Sequence, residues 1–262
     1  MIHCALRVDD QDWRVWLDTL PSCRWCREIE ISMELVDQEP DLGAVVGRVG
    51  LGVAHVRHLL PMQTAPYVAE SGLGGRSSFI AGVVRSLQRC AALGARGVSL
   101  EMGLDRIDNN DVEDGIQIRT EFLDAVLSGV PLENLSLALI VRYPASFPGS
   151  RAWDLAANVV HGIESDACVL ALDVMLDDVG DDEAFGSLLR SWASVLGVLR
   201  FHCPYPEGEI PGDETIAHCA QMLRRLGWRG TVVFCFTNAD ASVAKDICTL
   251  ADQWATLFSE KK

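Results

Sequence analysis

The chain has 262 residues, 49% of them hydrophobic and 23% charged, and its net charge is −15. No stretch approaches the roughly 18 apolar residues of a membrane span, and so negative a charge argues against the phosphate contacts on which nucleic-acid binding depends. The N-terminal sequence MIHCALRVDDQDW lacks the basic region of a secretory signal. We therefore expect a cytoplasmic protein that binds neither membranes nor nucleic acids.

Strand-like and helix-like segments alternate along the first half of the chain. Residues 80–91 have the clearest helical period, and Ser77 or Ser78 is predicted to cap that helix. The segment 59–75 contains five Pro and Gly residues and is predicted to be a long loop. Short β-prone runs predict four strands, at 4–8, 28–33, 49–55 and 97–102.

The second half repeats this order. Strands are predicted at 135–141, 168–173, 198–202 and 231–236, with helical segments after each of them. Gly227 is predicted to end the helix that precedes the last strand. Eight strands, each followed by a helix or a long loop, predict an α/β protein with a parallel sheet. A (β/α)8 TIM barrel typically takes about 250 residues, so we expect a single TIM-barrel domain over 1–262.

The chain contains nine cysteines, most of them within apolar runs. A buried free cysteine behaves as a small hydrophobic residue, and this is our interpretation of Cys90, Cys168, Cys219, Cys235 and Cys248. Cys23 and Cys26 form one CxxC pair, but no second pair follows at the spacing of a zinc site. We interpret this pair as structural, with redox or metal chemistry as the alternative.

Two stretches resemble the xylose-isomerase-like TIM barrels. FHCPYPEGEIPGDETI followed by LRRLGWRGTVVFCF is similar to their seventh and eighth strands, and RSLQRCAALGARGVSLEMG is similar to the segment around their fourth strand. This superfamily includes sugar and sugar-phosphate isomerases and epimerases, inosose dehydratases and endonuclease IV of the AP endonuclease family 2 type. The resemblance extends from about residue 77 to the end. It implies a barrel whose active site lies at the carboxyl ends of the strands.

The resemblance also implies a divalent metal, Mn, Mg, Zn or Co, at those strand ends. Family members usually hold it with Glu on strand five, Asp on six, His on seven and Glu on eight. Asp173 and His202 match the sixth and seventh positions and are predicted as metal ligands. Arg142 stands near the fifth position and Cys235 at the eighth, so the metal site is predicted to be partly lost or remodelled.

The resemblance implies most of the remaining site residues, since Glu30 and His55 match a Glu of the family's second strand and a His at the end of its third. Glu101 stands where the family has a His on strand four, and we predict it to be catalytic together with His202. Glu30, His55 and Arg142 are predicted to bind substrate. A guanidinium at a strand end can hold a carboxylate or a phosphate bidentately.

Three placements follow from these assignments. We expect Asp173 and His202 to face one cavity, and Arg142 and Cys235 to lie near the barrel mouth. Arg142 is expected to replace the charge of the metal. An alternative for Asp173 is a solvated acidic loop, since the run that follows it contains Asp177, Asp178, Asp181 and Asp182.

Two functional hypotheses remain open at this point. One is a sugar or sugar-phosphate isomerase or epimerase with a remodelled metal site. The other is a catalytically inactive barrel that binds a ligand or a partner protein. Both imply a small carbohydrate or anionic ligand in preference to nucleic acid, and the assembly is left open, with a homodimer as one alternative.

Overall fold

A computed structural model of the chain describes residues 2–8, 12–60, 73–102, 112–130, 135–143, 151–163, 165–176, 179, 182–204, 213–237 and 241–259. Within these ranges, eight parallel strands close into a barrel in chain order, with the first strand paired to the last. This topology confirms the predicted (β/α)8 fold. The strands are β1 (His3–Arg7), β2 (Glu28–Ser32), β3 (Gly52–Arg57), β4 (Gly97–Leu100), β5 (Ser136–Tyr143), β6 (Cys168–Met175), β7 (Leu196–Pro204) and β8 (Thr231–Thr237).

The helices of the described residues follow the strands along the chain. They are α1 (Trp13–Thr19), α2 (Met33–Gln38), α3 (Leu42–Arg48), α4 (Leu73–Ala92), α5 (Val112–Leu127), α6 (Arg151–Gly162), α7 (Asp182–Trp192), α8 (Asp213–Arg225) and α9 (Ala244–Phe258). Helix α4 begins at Leu73, so the prediction that Ser77 or Ser78 caps it is wrong. The rest of the predicted long loop, residues 61–72, lies outside the described residues. Gly227 follows α8 with a φ of +64°, the left-handed conformation that a helix C-terminus favours.

The larger hydrophobic core lies between the outer face of the barrel and the helices. Outward strand residues such as Phe234 pack against Trp254 and Phe258 of α9, with ring centroids 5.5 and 6.2 Å apart. The cysteines predicted to be buried are free thiols within the protein. Cys23 and Cys26 are also buried, and the Cys23 thiol donates to the carbonyl of Cys248 at 3.5 Å.

A second, smaller core fills the inside of the barrel. Its members are small, chiefly Ala5, Ala54, Ala138 and Ala171. Because strand residues alternate between two faces, the inward residues two positions farther along each strand form the next layer toward the carboxyl ends. Charged side chains of that next layer include Arg7, Asp173 and Arg200, which follow Ala5, Ala171 and Val198 by two positions, and the small side chains beneath leave room for them.

One close approach inside the barrel requires a glycine. Gly97 of β4 is in register with His55 of β3. A Cβ atom at position 97 would overlap the imidazole of His55, closer than real Cβ atoms approach a non-bonded neighbour. The glycine therefore provides the space that the imidazole ring needs beside β4. Separately, none of the helices in the described part of the chain is long and apolar enough to cross a membrane.

Candidate functional site

A cavity of about 310 Å³ opens at the carboxyl ends of the strands, and we call it the mouth cavity. Its walls come mostly from strand-end residues, and these side chains are largely charged. The residues that line it are Arg7, Arg57, His58, Glu101, Ile140, Arg142, Asp173, Met175, Arg200 and His202.

Arg200 forms the floor of the mouth cavity and is the central feature of the site. Its side chain is fully buried, although it is charged. The Nε atom donates to Oε2 of Glu30 at 2.6 Å, and Nη1 donates to Oδ1 of Asp173 at 3.0 Å. The Nη2 atom donates to the hydroxyl of Ser99. The guanidinium is thus bonded to side chains of three other strands, β2, β4 and β6.

A second arginine completes the partners of Glu30. The Nε atom of Arg7 donates to Oε1 of Glu30 at 2.7 Å, while Arg200 binds the other oxygen of the same carboxylate. His55 extends the network on the opposite side, because its Nε2 atom is hydrogen-bonded to the hydroxyl of Ser99. Two guanidinium groups therefore surround one fully buried carboxylate.

The pKa values of the buried groups follow from this arrangement. Burial alone raises the pKa of the Glu30 carboxyl, but Arg200 and Arg7 outweigh it and hold the value well below its usual range. Burial likewise raises the pKa of Asp173, whereas Arg200 and His202 lower it to about 2. Burial and the charge of Arg200 lower the pKa of His55 to about 3. At neutral pH both carboxylates are ionised and His55 is uncharged.

The structure brings Asp173 and His202 together, as predicted. Both line the mouth cavity, and Nε2 of His202 lies 3.3 Å from Oδ2 of Asp173. This is an ion-pair distance, and Nε2 has no assigned hydrogen-bond partner among the described residues. Asp177, Asp178 and Asp181 of the alternative acidic loop lie outside the described residues.

His58 is a further residue of the mouth with unusual geometry. Its φ is +56°, and it is the one non-glycine residue with positive φ in the described part of the chain. Its Nδ1 atom is buried with no hydrogen-bond partner there. Strained backbone and unsatisfied buried polar atoms are enriched at functional sites.

Arg142 lies at the mouth, but it does not replace a metal's charge there. Its Nη2 atom donates to Oε1 of Glu101 at 3.0 Å, and its side chain is 65% exposed. The two oxygens of Asp173, its register partner, face Arg200 and His202 instead. The cation at the centre of the site is therefore Arg200 and not Arg142. Arg200 lies on β7, the strand that follows Asp173.

Cys235 also differs from its predicted place. It is almost completely buried inside the barrel and does not line the mouth cavity. Burial raises the pKa of its thiol to about 12, so the group is uncharged at neutral pH. A neutral thiol of this kind packs as a small hydrophobic residue.

Glu30 and His55, both predicted to bind substrate, lie beneath the mouth cavity. Each is fully buried, and neither lines the cavity wall. Both connect to Arg200, Glu30 directly and His55 through Ser99. Substrate binding by these two residues stays a prediction, and this geometry makes their contribution indirect.

The donor set does not fit a divalent metal. Both oxygens of Glu30 accept from guanidinium groups, and Oδ1 of Asp173 accepts from Arg200. No group of three or more His, Cys, Asp or Glu side chains suited to a metal occurs within the described ranges. A divalent ion beside Asp173 would also meet the charge of Arg200, which repels it. Asp173 and His202 alone fall short of the three or four ligands that a working site needs.

Arg200 and Arg7 are the residues that sequence reasoning missed. From the sequence we predict a strand at 198–202 but assign no role to Arg200 within it. Yet Arg200 precedes His202 by two residues, and alternation puts both on the same face of the strand. Arg7 similarly ends β1 on its inward face. The signal in the sequence is a charged residue within a buried strand, because a charged residue is almost never buried unless it has a partner.

No family model matches the chain, and no curated protein matches it. Solved structures do match it closely in fold. A xylose isomerase domain protein from Alicyclobacillus acidocaldarius has a TM-score of 0.70 at 14% identity, over 98% of this chain and 99% of that one. The 3-keto-D-glucoside 4-epimerase of E. coli has a TM-score of 0.67 at 11% identity, over 97% and 99%.

An AP endonuclease of family 2 from Brucella melitensis is also similar, with a TM-score of 0.64 at 13% identity over 93% of this chain and 96% of that one. All three are barrels that match this chain over nearly their whole length. At such low identity the likeness shows the fold alone. The predicted resemblance to xylose-isomerase-like barrels is confirmed at that level.

Replacement of Arg200 by Met should strongly destabilise the protein. The variant keeps an unbranched side chain but leaves two carboxylates, Glu30 and Asp173, without their shared buried cation. We expect the free energy of unfolding to fall by roughly 3–5 kcal/mol, the usual cost of breaking a buried ion pair. Urea unfolding measures it. Arg142→Met, which breaks an exposed pair, should cost at most about 1 kcal/mol, and equal losses in the two variants would contradict the assignment.

Stability should fall in acid partly through Asp173. Its pKa is about 2 in the folded protein and 3.8 ordinarily, so its contribution is complete above pH 4 and is lost as the pH falls toward 2. This contribution is about 2 kcal/mol. Between pH 5 and pH 2, Asp173→Asn should therefore lose about that much less stability than the wild type. Glu39→Gln, from an exposed pair with Arg14, is the control and should follow the wild type.

Proposed function

We propose that the mouth cavity binds a small carbohydrate carrying a phosphate or carboxylate group, and that the protein isomerises or epimerises it. The observation that carries the proposal is the composition of the cavity wall. Four arginines and two histidines line it, against the carboxylates of Glu101 and Asp173. Binding without catalysis is the second candidate.

Charge supports an anionic ligand. The chain as a whole is strongly acidic, with a net charge of −15, yet guanidinium groups outnumber carboxylates around this cavity even when the buried Glu30 is included. A cleft lined by one sign of charge concentrates ligands of the other sign. The wall of the mouth cavity therefore carries more positive than negative groups, although the chain as a whole is negatively charged.

Size and unsatisfied atoms support a ligand of sugar dimensions. A volume of about 310 Å³ is at the lower end of small-molecule pockets and suits a monosaccharide. Nδ1 of His58 and Nε2 of His202 have no hydrogen-bond partner among the described residues, and both rings line this cavity. Hydroxyl groups of a sugar both donate and accept, so they would satisfy these nitrogens.

Arg142 is the residue that we assign to the anionic group. It is the most accessible of the paired arginines at the mouth, and Glu101 holds it in place at 3.0 Å. Its fork of N–H donors matches a phosphate or carboxylate bidentately. Glu30 and His55 would act from below by holding Arg200 and Ser99 in position.

Glu101 and His202 are the proposed acid and base. One accepts the proton on the carbon beside the sugar carbonyl, which leaves an enediolate, and the other returns a proton to the opposite face or to the neighbouring carbon. Guanidinium groups at the mouth would stabilise the oxyanion that develops. Asp173, 3.3 Å from His202, would orient the imidazole.

A divalent metal at Asp173 and His202 is the alternative to this metal-free arrangement. The resemblance favours it, whereas the pairing of Asp173 with Arg200 opposes it. Absence of nucleic-acid binding and a homodimeric assembly stay predictions.

Arg142→Ala should weaken the binding of an anionic sugar and leave the fold intact. D-fructose 6-phosphate and D-fructose are the probes, and calorimetry measures their dissociation constants. We expect the phosphorylated sugar to bind the wild type at least about 10-fold more tightly than the neutral one. The variant should lose about 10- to 100-fold for the phosphorylated sugar, since a hydrogen bond to a charged group contributes about 1.5–3 kcal/mol. The control is Arg14→Ala, an exposed arginine on α1 that pairs with Glu39.

Proton exchange with solvent should separate catalysis from binding. An isomerase or epimerase of this type replaces the carbon-bound hydrogen beside the carbonyl with deuterium from D₂O, which proton NMR detects. Phosphorylated ketoses and keto sugar acids form the substrate panel. Glu101→Gln and His202→Gln should each slow the exchange by about 100-fold or more while binding is retained.

The outcomes of these two experiments point to different candidates. Binding that depends on Arg142 but shows no deuterium incorporation would favour the second candidate, a ligand-binding barrel. If no phosphorylated or carboxylated sugar of the panel binds, the proposal as a whole is wrong.

A further inference from the structure

The buried guanidinium of Arg200 lies where two carboxylates, a hydroxyl and an imidazole converge. Glu30 and Asp173 contact it at 2.6 and 3.0 Å, and Ser99 is bonded to its third nitrogen. His202 lies 3.3 Å from the second oxygen of Asp173. Oxygen and nitrogen atoms of this kind are the ligands that divalent cations such as Mn²⁺ and Mg²⁺ prefer.

Charge explains why some cation must stand at this position. Glu30 is fully buried and the Asp173 side chain is 17% exposed, so neither carboxylate is well solvated. Two carboxylates this close, from strands on different sides of the barrel, repel each other unless a positive charge lies between them. Arg7 donates to one oxygen of Glu30, whereas Asp173 accepts from Arg200.

We propose that the guanidinium of Arg200 is a built-in cation, which lies between Glu30 and Asp173 at the floor of the mouth cavity and supplies there one of the two positive charges that a divalent ion would carry. The arginine makes the site independent of metal. With Arg200 in place, Glu30, Asp173 and His202 do not form a group suited to a metal within the described ranges. Removal of the arginine opens a latent divalent-cation site at these three residues, with the hydroxyl of Ser99 beside it. The inference does not depend on which ligand the mouth binds.

The size of the arginine side chain supports the second half of this inference. Truncation to alanine deletes the guanidinium and most of the stem, and the small residues Ala138 and Ala171 below it cannot fill that volume. Asp173 would then lose the guanidinium that it accepts from, and Glu30 would keep only its bond to Arg7. A hydrated divalent ion would fill that volume and supply positive charge beside Asp173, as in oxygen-rich sites that retain several waters.

Mn²⁺ binding tests the inference. Proteins stripped with EDTA are titrated with Mn²⁺, and the free ion is followed by electron paramagnetic resonance. Wild type should show no tight site, since Arg200 occupies it. Arg200→Ala should bind one Mn²⁺ per chain at least about 10-fold more tightly than wild type and gain thermal stability from it.

Two further variants serve as controls. Arg200→Lys keeps a cation at the floor and should bind Mn²⁺ no better than wild type. Arg200→Ala combined with Asp173→Asn removes a proposed ligand and should lose the gained affinity. Tight binding of one Mn²⁺ by the wild type would overturn the built-in cation. A folded Arg200→Ala protein with wild-type affinity would overturn the latent site.

The latent site can be tested even if the Arg200→Ala protein does not fold without metal. If Arg200→Ala is unfolded without metal, the inference requires that Mn²⁺ promotes its folding, which circular dichroism follows during refolding. A chain that stays unfolded with and without the ion would overturn the latent site. The wild-type titration tests the built-in cation independently, and its result is distinct from the sugar-binding experiments.

Discussion

The charge of Arg200 is the constraint on which the inside of this barrel depends. A fully buried guanidinium is tolerated only where its hydrogen bonds and its charge are satisfied, and here side chains from β2, β4 and β6 do so together. Each of those side chains in turn depends on Arg200, because Glu30 and Asp173 would otherwise be buried anions. The network therefore connects strands on different sides of the barrel, and each of these connections passes through Arg200.

Packing below the network makes it sterically possible. The inner layer beneath it is built from alanines with few larger residues, so the long side chains of Arg7 and Arg200 have space to extend across the barrel. The absence of a side chain at Gly97 likewise provides space for the imidazole of His55. Small residues in the lower layer of the barrel therefore leave space for the charged side chains above them. Those side chains are held in fixed positions at the mouth.

A ligand at the mouth would meet groups that need little rearrangement. The central charges are held by mutual hydrogen bonds, and such fixed charges favour an anion without the cost of reorienting solvent. His58 and His202 differ from this pattern, since their buried ring nitrogens have no hydrogen-bond partner in the described ranges. The floor is thus already satisfied, whereas the walls still offer polar atoms to a ligand.

What the sequence determined by itself was local: the number and order of strands, their alternation, and the burial of cysteines within apolar runs. It also placed Asp173 and His202 at neighbouring strand ends, because parallel strands of one sheet end on the same side. The partners of these residues were decided only by the tertiary structure. Arg200 bonds to Glu30, 170 residues away in the chain, and no spacing rule links the two. Because the closed barrel pairs β1 with β8, only two strands separate β2 from β7, and side chains of the two strands meet inside the barrel.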